Sequence, residues 1–270
     1  MNENTITIFQ NGIDFSEEIT RALTEKLLAR GYDVKDSYTE DTDLIICVGG
    51  DGAFLRAIHR CDFPNCPIVG VNTGHLGFFQ DVLPSDLDRF IEQYESGEYN
   101  VQELNTVRAI VTTADGRKHS HLALNEITIK GRRSYSVHLF ISIGNQPIEK
   151  FSGDGLIIAT SAGSTAYNYS VGGSIADPRL KLLQVTPIAP MNTTAYRSFT
   201  SSVLLPAELS LGVVPEQQEG QETQIFLTND GNETAYEHVK NIEVRISNTT
   251  VHLIRLKGYD FWSKVKDKFL

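Results

Sequence analysis

The chain has 270 residues, 40% of them hydrophobic, enough to build one large or two modest domains around real cores. A formal charge of −10 excludes the positive footprint that nucleic acid or an anionic membrane surface requires, and points to small metabolites as partners. Cys47, Cys61 and Cys66 have neither even count nor metal-ligand spacing, no run of about 18 apolar residues occurs, and the opening MNENTITIFQ lacks a basic n-region, so a cytoplasmic protein with reduced thiols is expected.

Alternation in TITIFQ predicts a first strand over residues 5–10, and Asp14 with Glu17 resembles a capping box opening a helix through Leu28, with Gly31 as its stop. A short strand near Val34 precedes the apolar run at residues 44–48. A helix over residues 53–59, a strand over 68–71 ending in NTGHLGFF and a helix over 85–94 follow. Strands alternating with helices predict a parallel sheet covered on both faces, with ligands at the carboxyl ends of its strands. After about Val101 the texture turns to β-rich segments separated by turn signals, which predicts a second, mostly antiparallel domain. Its strands are expected over residues 108–113, 126–130, 136–143, 156–159, 202–205, 208–213, 224–228, 242–247 and 251–256, with hairpin turns at Asp115-Gly116 and Asp230-Gly231. A helix is expected over residues 164–169, an exposed loop over 215–221, and a last helix in YDFWSKVKDKFL with Phe261, Trp262, Val265 and Phe269 apolar. The fold class is therefore α/β followed by β: a Rossmann-like α/β domain over residues 1–101, a mostly antiparallel, all-β domain over 102–253, and a helical segment over 254–270 able to pack back on the first.

Four stretches carry chemistry. In LIICVGGDGAFLR, a strand runs into Gly49, Gly50 and Gly52, whose backbone freedom and helix-start N–H groups suit phosphate. Asp51 stands among them, and a carboxylate beside phosphate oxygens must hold a cation or accept a proton. The turn lacks the lysine of a P-loop and the spacing of a dinucleotide fingerprint, and on its own an ordinary strand-to-helix turn would account for it. Asn125-Glu126 joins an amide and a carboxylate able to bind a carboxamide or ribose, although adjacent strand residues point to opposite faces. The densest stretch is KFSGDGLIIATSAGSTAYNYSVGGS, residues 150–174: Asp154 lies in a glycine turn, small hydroxyls follow a buried strand, and Tyr167 is placed to stack on a base. Asn229-Asp230-Gly231 alone reads as a hairpin turn. Histidines show no i, i+4 metal spacing, and only His75, in the TGHLGF turn, is near a candidate site.

Taken in order, GGDG, TGHLGF, NE, GDGLIIATSAGSTAYNYSVGG, TPIAP and NDG resemble the bacterial NAD kinase family, of the diacylglycerol kinase and phosphofructokinase-like superfamily, from about Leu44 to Asp230. The chain departs from the family pattern at Ser161 and Ala162, where a proline and a serine or threonine are usual. The resemblance implies a sandwich-like second domain with a last segment that returns to the first, and transfer of the terminal phosphoryl group of ATP or polyphosphate, with Mg²⁺, to the adenosine ribose 2′-hydroxyl of NAD, giving NADP. It implies that Asp51 is the catalytic acid of GGDG, that Gly52 and Phe78 lie beside the dinucleotide, and that Asn125 and Glu126 hold its diphosphate-ribose part. Asp154, Thr165, Ala166, Tyr167 and Ser170 match the nucleoside-binding positions. Asp230 matches an aspartate that approaches a site across a subunit contact, so a homodimer or homotetramer is expected. Gly49, Gly50, Gly52 and Arg56 are the expected phosphate-binding set. Asp51 is either the base for the ribose hydroxyl or a partner of the metal. A lipid kinase of the same superfamily would need an apolar cleft in place of these polar motifs, and an idle NAD(P) sensor would have no use for Asp51.

Overall fold

The computed structural model describes residues 4–132, 135–216 and 224–270. The chain divides into two compact units, Met1–Glu103 together with Thr250–Leu270, and Leu104–Thr249.

In the first unit β1 (Thr5–Gln10), α1 (Asp14–Ala29), β2 (Asp33–Lys35), β3 (Thr42–Gly49), α2 (Asp51–Arg60), β4 (Ile68–Asn72) and α3 (Leu87–Glu95) succeed one another. The strands are parallel in the order β2-β1-β3-β4. Leu44, Ile45, Ile46, Cys47 and Val48 are all buried, because β3 is a central parallel strand covered on both faces. Helix α2 buries Ala53, Phe54, Ala57 and Ile58, the spacing of a single helical stripe. The predicted capping box does not form: Ile13 is the cap residue of α1, and Asp14 and Glu17 lie in the first turn, where they favour the helix dipole. Gly31 follows at φ +85°, as a helix stop requires.

A long strand, β5 (Tyr99–Thr113), leads into the second unit. There follow β6 (Lys118–Ala123), β7 (Glu126–Lys130), β8 (Val137–Ile143), β9 (Gln146–Gly153), β10 (Gly155–Ala159), α4 (Tyr167–Ser170), β11 (Leu182–Ile188), β12 (Val203–Pro206), β13 (Leu211–Pro215), β14 (Ile225–Asn229), β15 (Asn232–Tyr236) and β16 (Val239–Leu256). One antiparallel sheet has the order β12-β11-β10-β7-β14-β15. The other holds β9, β8, β13 and the first part of β16. Val107, Ile129, Leu139, Phe151, Ile158 and Val213 belong to one apolar cluster that draws on both sheets, which gives the unit its sandwich-like core. The last part of β16 belongs to the first unit, where Leu253 pairs with Ile68 of β4, and α5 (Phe261–Phe269) ends the chain.

Several expectations change. The helix predicted over residues 164–169 is a 3₁₀ turn, Ala162–Thr165, and one α turn, α4. Its polar side chains bond to neighbouring loops: the Ser164 hydroxyl donates to the Ala176 carbonyl, and the Asn168 side chain accepts from Thr186. The strands predicted over 242–247 and 251–256 are one strand, since Asn248-Thr249-Thr250 holds no glycine or proline to break it. In α5, Phe261 and Val265 are buried but Trp262 is half exposed. Of the loop predicted over 215–221, only Pro215, which closes β13, and Glu216 lie within the described residues.

Candidate functional site

In the first unit the site grows from the junction of β3 and α2. Gly49 has φ +153°, and a Cβ there would stand 2.6 Å from that of Ala53. Gly50 instead has ordinary extended backbone, with φ −98° and ψ −173°, and nothing within 4 Å of where its Cβ would stand. The expectation that all the glycines adopt conformations closed to other residues therefore holds only for Gly49; Gly50 leaves uncovered backbone. The N–H groups of Asp51 and Gly52 head α2 without intrahelical acceptors, the arrangement that binds anions. Exposed Arg56, one turn on, has a guanidinium nitrogen 3.5 Å from where a Gly52 Cβ would stand.

Asp51 is half-buried, and its two carboxylate oxygens accept the backbone N–H groups of Phe78 and Phe79, each at 3.0 Å. Each oxygen keeps an acceptor direction, while the paired amides fix the plane of the group. Gly77 permits this approach, since a Cβ there would stand 2.5 Å from Asp51 Oδ1. The ring of Phe78 is buried between Phe261 and Phe269, at centroid distances of 5.7 and 6.0 Å, so it is its backbone that reaches Asp51. His75 is exposed in the same loop.

In the second unit the structure brings Asn125, Glu126 and Asp230 together. The Asp230 carboxylate accepts the N–H groups of Leu124, Asn125 and Glu126 at 2.7, 2.8 and 3.2 Å. Asp230 thus holds the Asn-Glu step within its own chain, at a φ of +49° that the Asp-Gly turn supplies. From the other side the Thr160 N–H donates to the Asn125 carbonyl at 2.9 Å and its hydroxyl to the Leu124 carbonyl at 2.6 Å. Gly163 packs so closely on Asn125 that any Cβ would collide with that carbonyl. Asn125 precedes β7 and is not part of it, so the alternation of strand faces does not separate it from Glu126. Both side chains are buried, and Asn125 Oδ1 and Glu126 Oε2 have no hydrogen-bond partner. Burial, with a smaller contribution from the Asp230 charge, pushes the Glu126 carboxyl up to about 8.

The remaining candidates lie toward the other end of the β7–β10 pair, where Gly155 is in register with Lys130. Asp154 is the one residue between β9 and β10, where the chain passes from one sheet to the other, and it is exposed. Tyr167 is also exposed, and its hydroxyl accepts from Lys130 Nζ at 2.9 Å. Thr165 and Ala166 are half-buried beside it, and Ser170 is exposed at the end of α4. Nothing in the sequence singles out Lys130; the register that sets it beside Asp154 and Tyr167 is a property of the sheet. At the departure from the family pattern, the Ser161 hydroxyl donates to the Leu180 carbonyl at 2.5 Å.

Among the described residues no group of three His, Cys, Asp or Glu side chains converges to hold a metal, and no helix is long and apolar enough to cross a membrane. A divalent cation brought in by phosphate oxygens would find, among the residues of this turn, Asp51 as the carboxylate able to hold it.

A phosphate-suited strand-to-helix turn carrying an oriented acid, on a chain that also holds a buried amide and acid unsatisfied by protein, defines a nucleotide-binding phosphotransferase. Family models described as the ATP-NAD kinase N-terminal and C-terminal domains match residues 7–99 and 124–256. The NAD kinase of Finegoldia magna is 35% identical over 274 residues, covering 100% of each chain. That of Staphylococcus carnosus is 36% identical, covering 88% of this chain and 87% of its own. The chain belongs to the NAD kinase family and is an enzyme that phosphorylates NAD. Two solved structures share the fold: yeast NADH kinase complexed with NADH (TM-score 0.84, 18% identity, covering 98% of this chain and 86% of that one) and an Archaeoglobus fulgidus NAD kinase in complex with ATP (TM-score 0.78, 22% identity, 97% and 98%).

Proposed function

We propose that the chain transfers the terminal phosphoryl group of ATP, or of polyphosphate, to the 2′-hydroxyl of the adenosine ribose of NAD, with Asp51 as the base. The observation that carries the acceptor assignment is the buried pair Asn125 Oδ1 and Glu126 Oε2, without partners in the protein and held from three sides by Asp230, Thr160 and Gly163. A buried polar atom without a partner costs about 1–3 kcal/mol, which a ribose or carboxamide group would relieve. With its proton retained to about pH 8, Glu126 offers a donor and an acceptor to a ribose diol. Asp154, Tyr167, Thr165, Ala166 and Ser170 continue the binding surface along the β7–β10 pair. Four residue steps lead from Glu126 to Lys130 on β7, roughly 13 Å of extended strand, which suits an elongated dinucleotide.

At the other substrate, the N–H groups at Gly50, Asp51 and Gly52 and the Arg56 guanidinium receive phosphate oxygens. Phe78 borders the nucleotide through its backbone. A divalent cation such as Mg²⁺, bound with the triphosphate, supplies charge neutralisation. Asp51 takes the proton from the 2′-hydroxyl as that oxygen bonds to phosphorus and the bond from phosphorus to the leaving phosphate oxygen breaks. Its two loop amides keep one carboxylate edge facing the incoming hydroxyl. Proton transfer of this kind contributes roughly 10²- to 10⁴-fold, and alignment with charge compensation supplies most of the rest. The family resemblance also supports a cytoplasmic homodimer or homotetramer, in which Asp230 orders the Asn-Glu step beside a subunit contact.

Asp51→Asn is the test, in a coupled assay of NADP formation with ATP and Mg²⁺ alongside an NAD binding measurement. Turnover is expected to fall on the order of 10²- to 10⁴-fold with binding retained. Normal turnover would sink the base, lost binding would make Asp51 a ligand, and NAD binding by the unaltered protein without NADP formation would favour an idle sensor.

A further inference from the structure

The loop that orients Asp51 is itself held from the C-terminal segment, all within the first unit. Lys268 Nζ donates to the Leu76 carbonyl at 2.6 Å, Arg255 Nη1 to the Phe78 carbonyl at 2.9 Å, and Lys264 Nζ to the Gln80 carbonyl at 2.6 Å. Three cations thus take three alternate carbonyls. The carbonyl of Phe78 and the N–H of Phe79 belong to one planar peptide unit. Arg255 grips the oxygen of that unit, and its N–H donates to Asp51 Oδ1 at 3.0 Å. Turning the plane would break both bonds together.

The charges are matched to this task. Asp81, half-buried as a residue but with its side chain only 6% exposed, bridges Arg255 and Lys264 at 3.0 and 2.6 Å. Two cations stand against one carboxylate: burial pushes the Lys264 ammonium below its usual range, Asp81 opposes that shift, the neighbouring Arg255 charge adds to it, and Asp51 opposes it most weakly. Phe261 and Val265 anchor α5 from its buried side, and the Asp260 side chain caps it through the Ser263 N–H at 2.7 Å. Lys264 and Lys268, four residues apart, therefore share the face that reaches the loop. Lys268 is exposed, so its bond to a carbonyl orders the loop without building a core.

We propose that Arg255, Lys264 and Lys268 are positioning residues for phosphoryl transfer, fixing through the carbonyls of residues 76–80 the amides that aim Asp51. This inference rests on Asp51 being the base. Its effect belongs in kcat, since the segment acts through the acid, and an acid displaced by a fraction of an ångström loses much of its contribution.

Lys268→Met is the variant of choice because an exposed side chain leaves the fold intact, with Lys266→Met as a control that removes the same charge from the same helix. Both are made in the unaltered chain and on an Asp51→Asn background, at enzyme concentrations that keep the residual rate readable. The expected result is a kcat for Lys268→Met lowered roughly 3- to 10-fold, with KM for NAD within about twofold and the melting temperature unchanged. Lys266→Met stays at the starting rate, Lys268→Arg recovers most of the loss, and on the Asp51→Asn background Lys268→Met costs nothing further. A kcat for Lys268→Met equal to that of Lys266→Met overturns the positioning role, as does the same loss on both backgrounds. Normal turnover of Asp51→Asn alone overturns the base reading instead, and the positioning role with it.

Discussion

The two ends of the chemistry are built on opposite plans. In the first unit Asp51 has both carboxylate oxygens bonded to backbone amides, and the loop that supplies them is tied in turn to Arg255, Lys264 and Lys268. In the second unit Asn125 and Glu126 are gripped by their backbones while Asn125 Oδ1 and Glu126 Oε2 are buried without partners. The contrast matches the work proposed for each. A base must be aimed before the substrate arrives, so its polar groups are satisfied by protein. A binding pair must be vacant for the substrate, so it is held stiff and left unsatisfied, at a cost to stability that binding returns.

Gly163→Ala attacks the stiffness of the second region and is the largest effect expected there. The new Cβ would meet the carbonyl and Cα of Asn125, which are backbone and cannot swing aside. The predicted cost is about 1–3 kcal/mol of stability. Displacing Asn125 should also raise KM for NAD by roughly an order of magnitude. Urea melts and steady-state kinetics check the two parts separately, and a lost stability with an unchanged KM would reduce Asn125 to a packing residue.

How legible these plans were in the sequence depends on the range of the contacts that make them. The strand, glycine turn and helix around residues 44–56 could be read directly, because an apolar run, a glycine and a helical stripe are local signals. The Asp115-Gly116 and Asp230-Gly231 turns were equally plain, and each joins two strands as expected. The strands β6, β9, β11 and β15 were missed although each pairs with a strand next to it in the chain, because KHSHLA and NETAY hold few apolar residues to alternate and QPIEKFSG and LLQVTPI each carry a proline. At the site the limit was the range of the contacts. Asp51, Asn125 and Glu126 stood out by composition, but Asp230 holding the amides of residues 124–126 spans more than a hundred positions. Lys264 and Lys268 offered only an i, i+4 spacing in an amphipathic helix, which surface lysines share.

The unsatisfied state of Glu126 has a pH signature that sharpens the comparison. Its carboxyl is raised by burial to about 8 from an ordinary value of 4.5, so the folded protein holds a proton that the unfolded chain has released. Stability contributed by the protonated group is complete below about pH 4.5 and declines as pH rises to about 8, above which it is constant. Across the middle of that window the ligand-free protein should lose about 1 kcal/mol per pH unit. Glu126→Gln, which imitates the protonated acid, should flatten this slope. Parallel pH dependence of the two proteins in denaturant melts would mean that Glu126 is already ionised, and that the second region is less dry than its burial implies.

The smallest effect on the fold is expected at Gly50, where the comparison can be turned back on the first region. Gly49 needs its glycine for its own backbone, but Gly50 has extended torsions that any residue adopts and no atom within 4 Å of a prospective Cβ. As a helix cap residue, alanine should cost no more than about 1 kcal/mol there. The absence of a side chain is then useful to whatever approaches the N–H groups of Asp51 and Gly52 from outside. Gly50→Ala should leave the melting temperature nearly unchanged while raising KM for ATP several-fold, with KM for NAD and the response to Asp51→Asn unaltered. An unchanged KM for ATP would move the phosphates away from the glycine turn. Asp51 would then be an acid whose orientation owes nothing to phosphate and everything to the loop at its back.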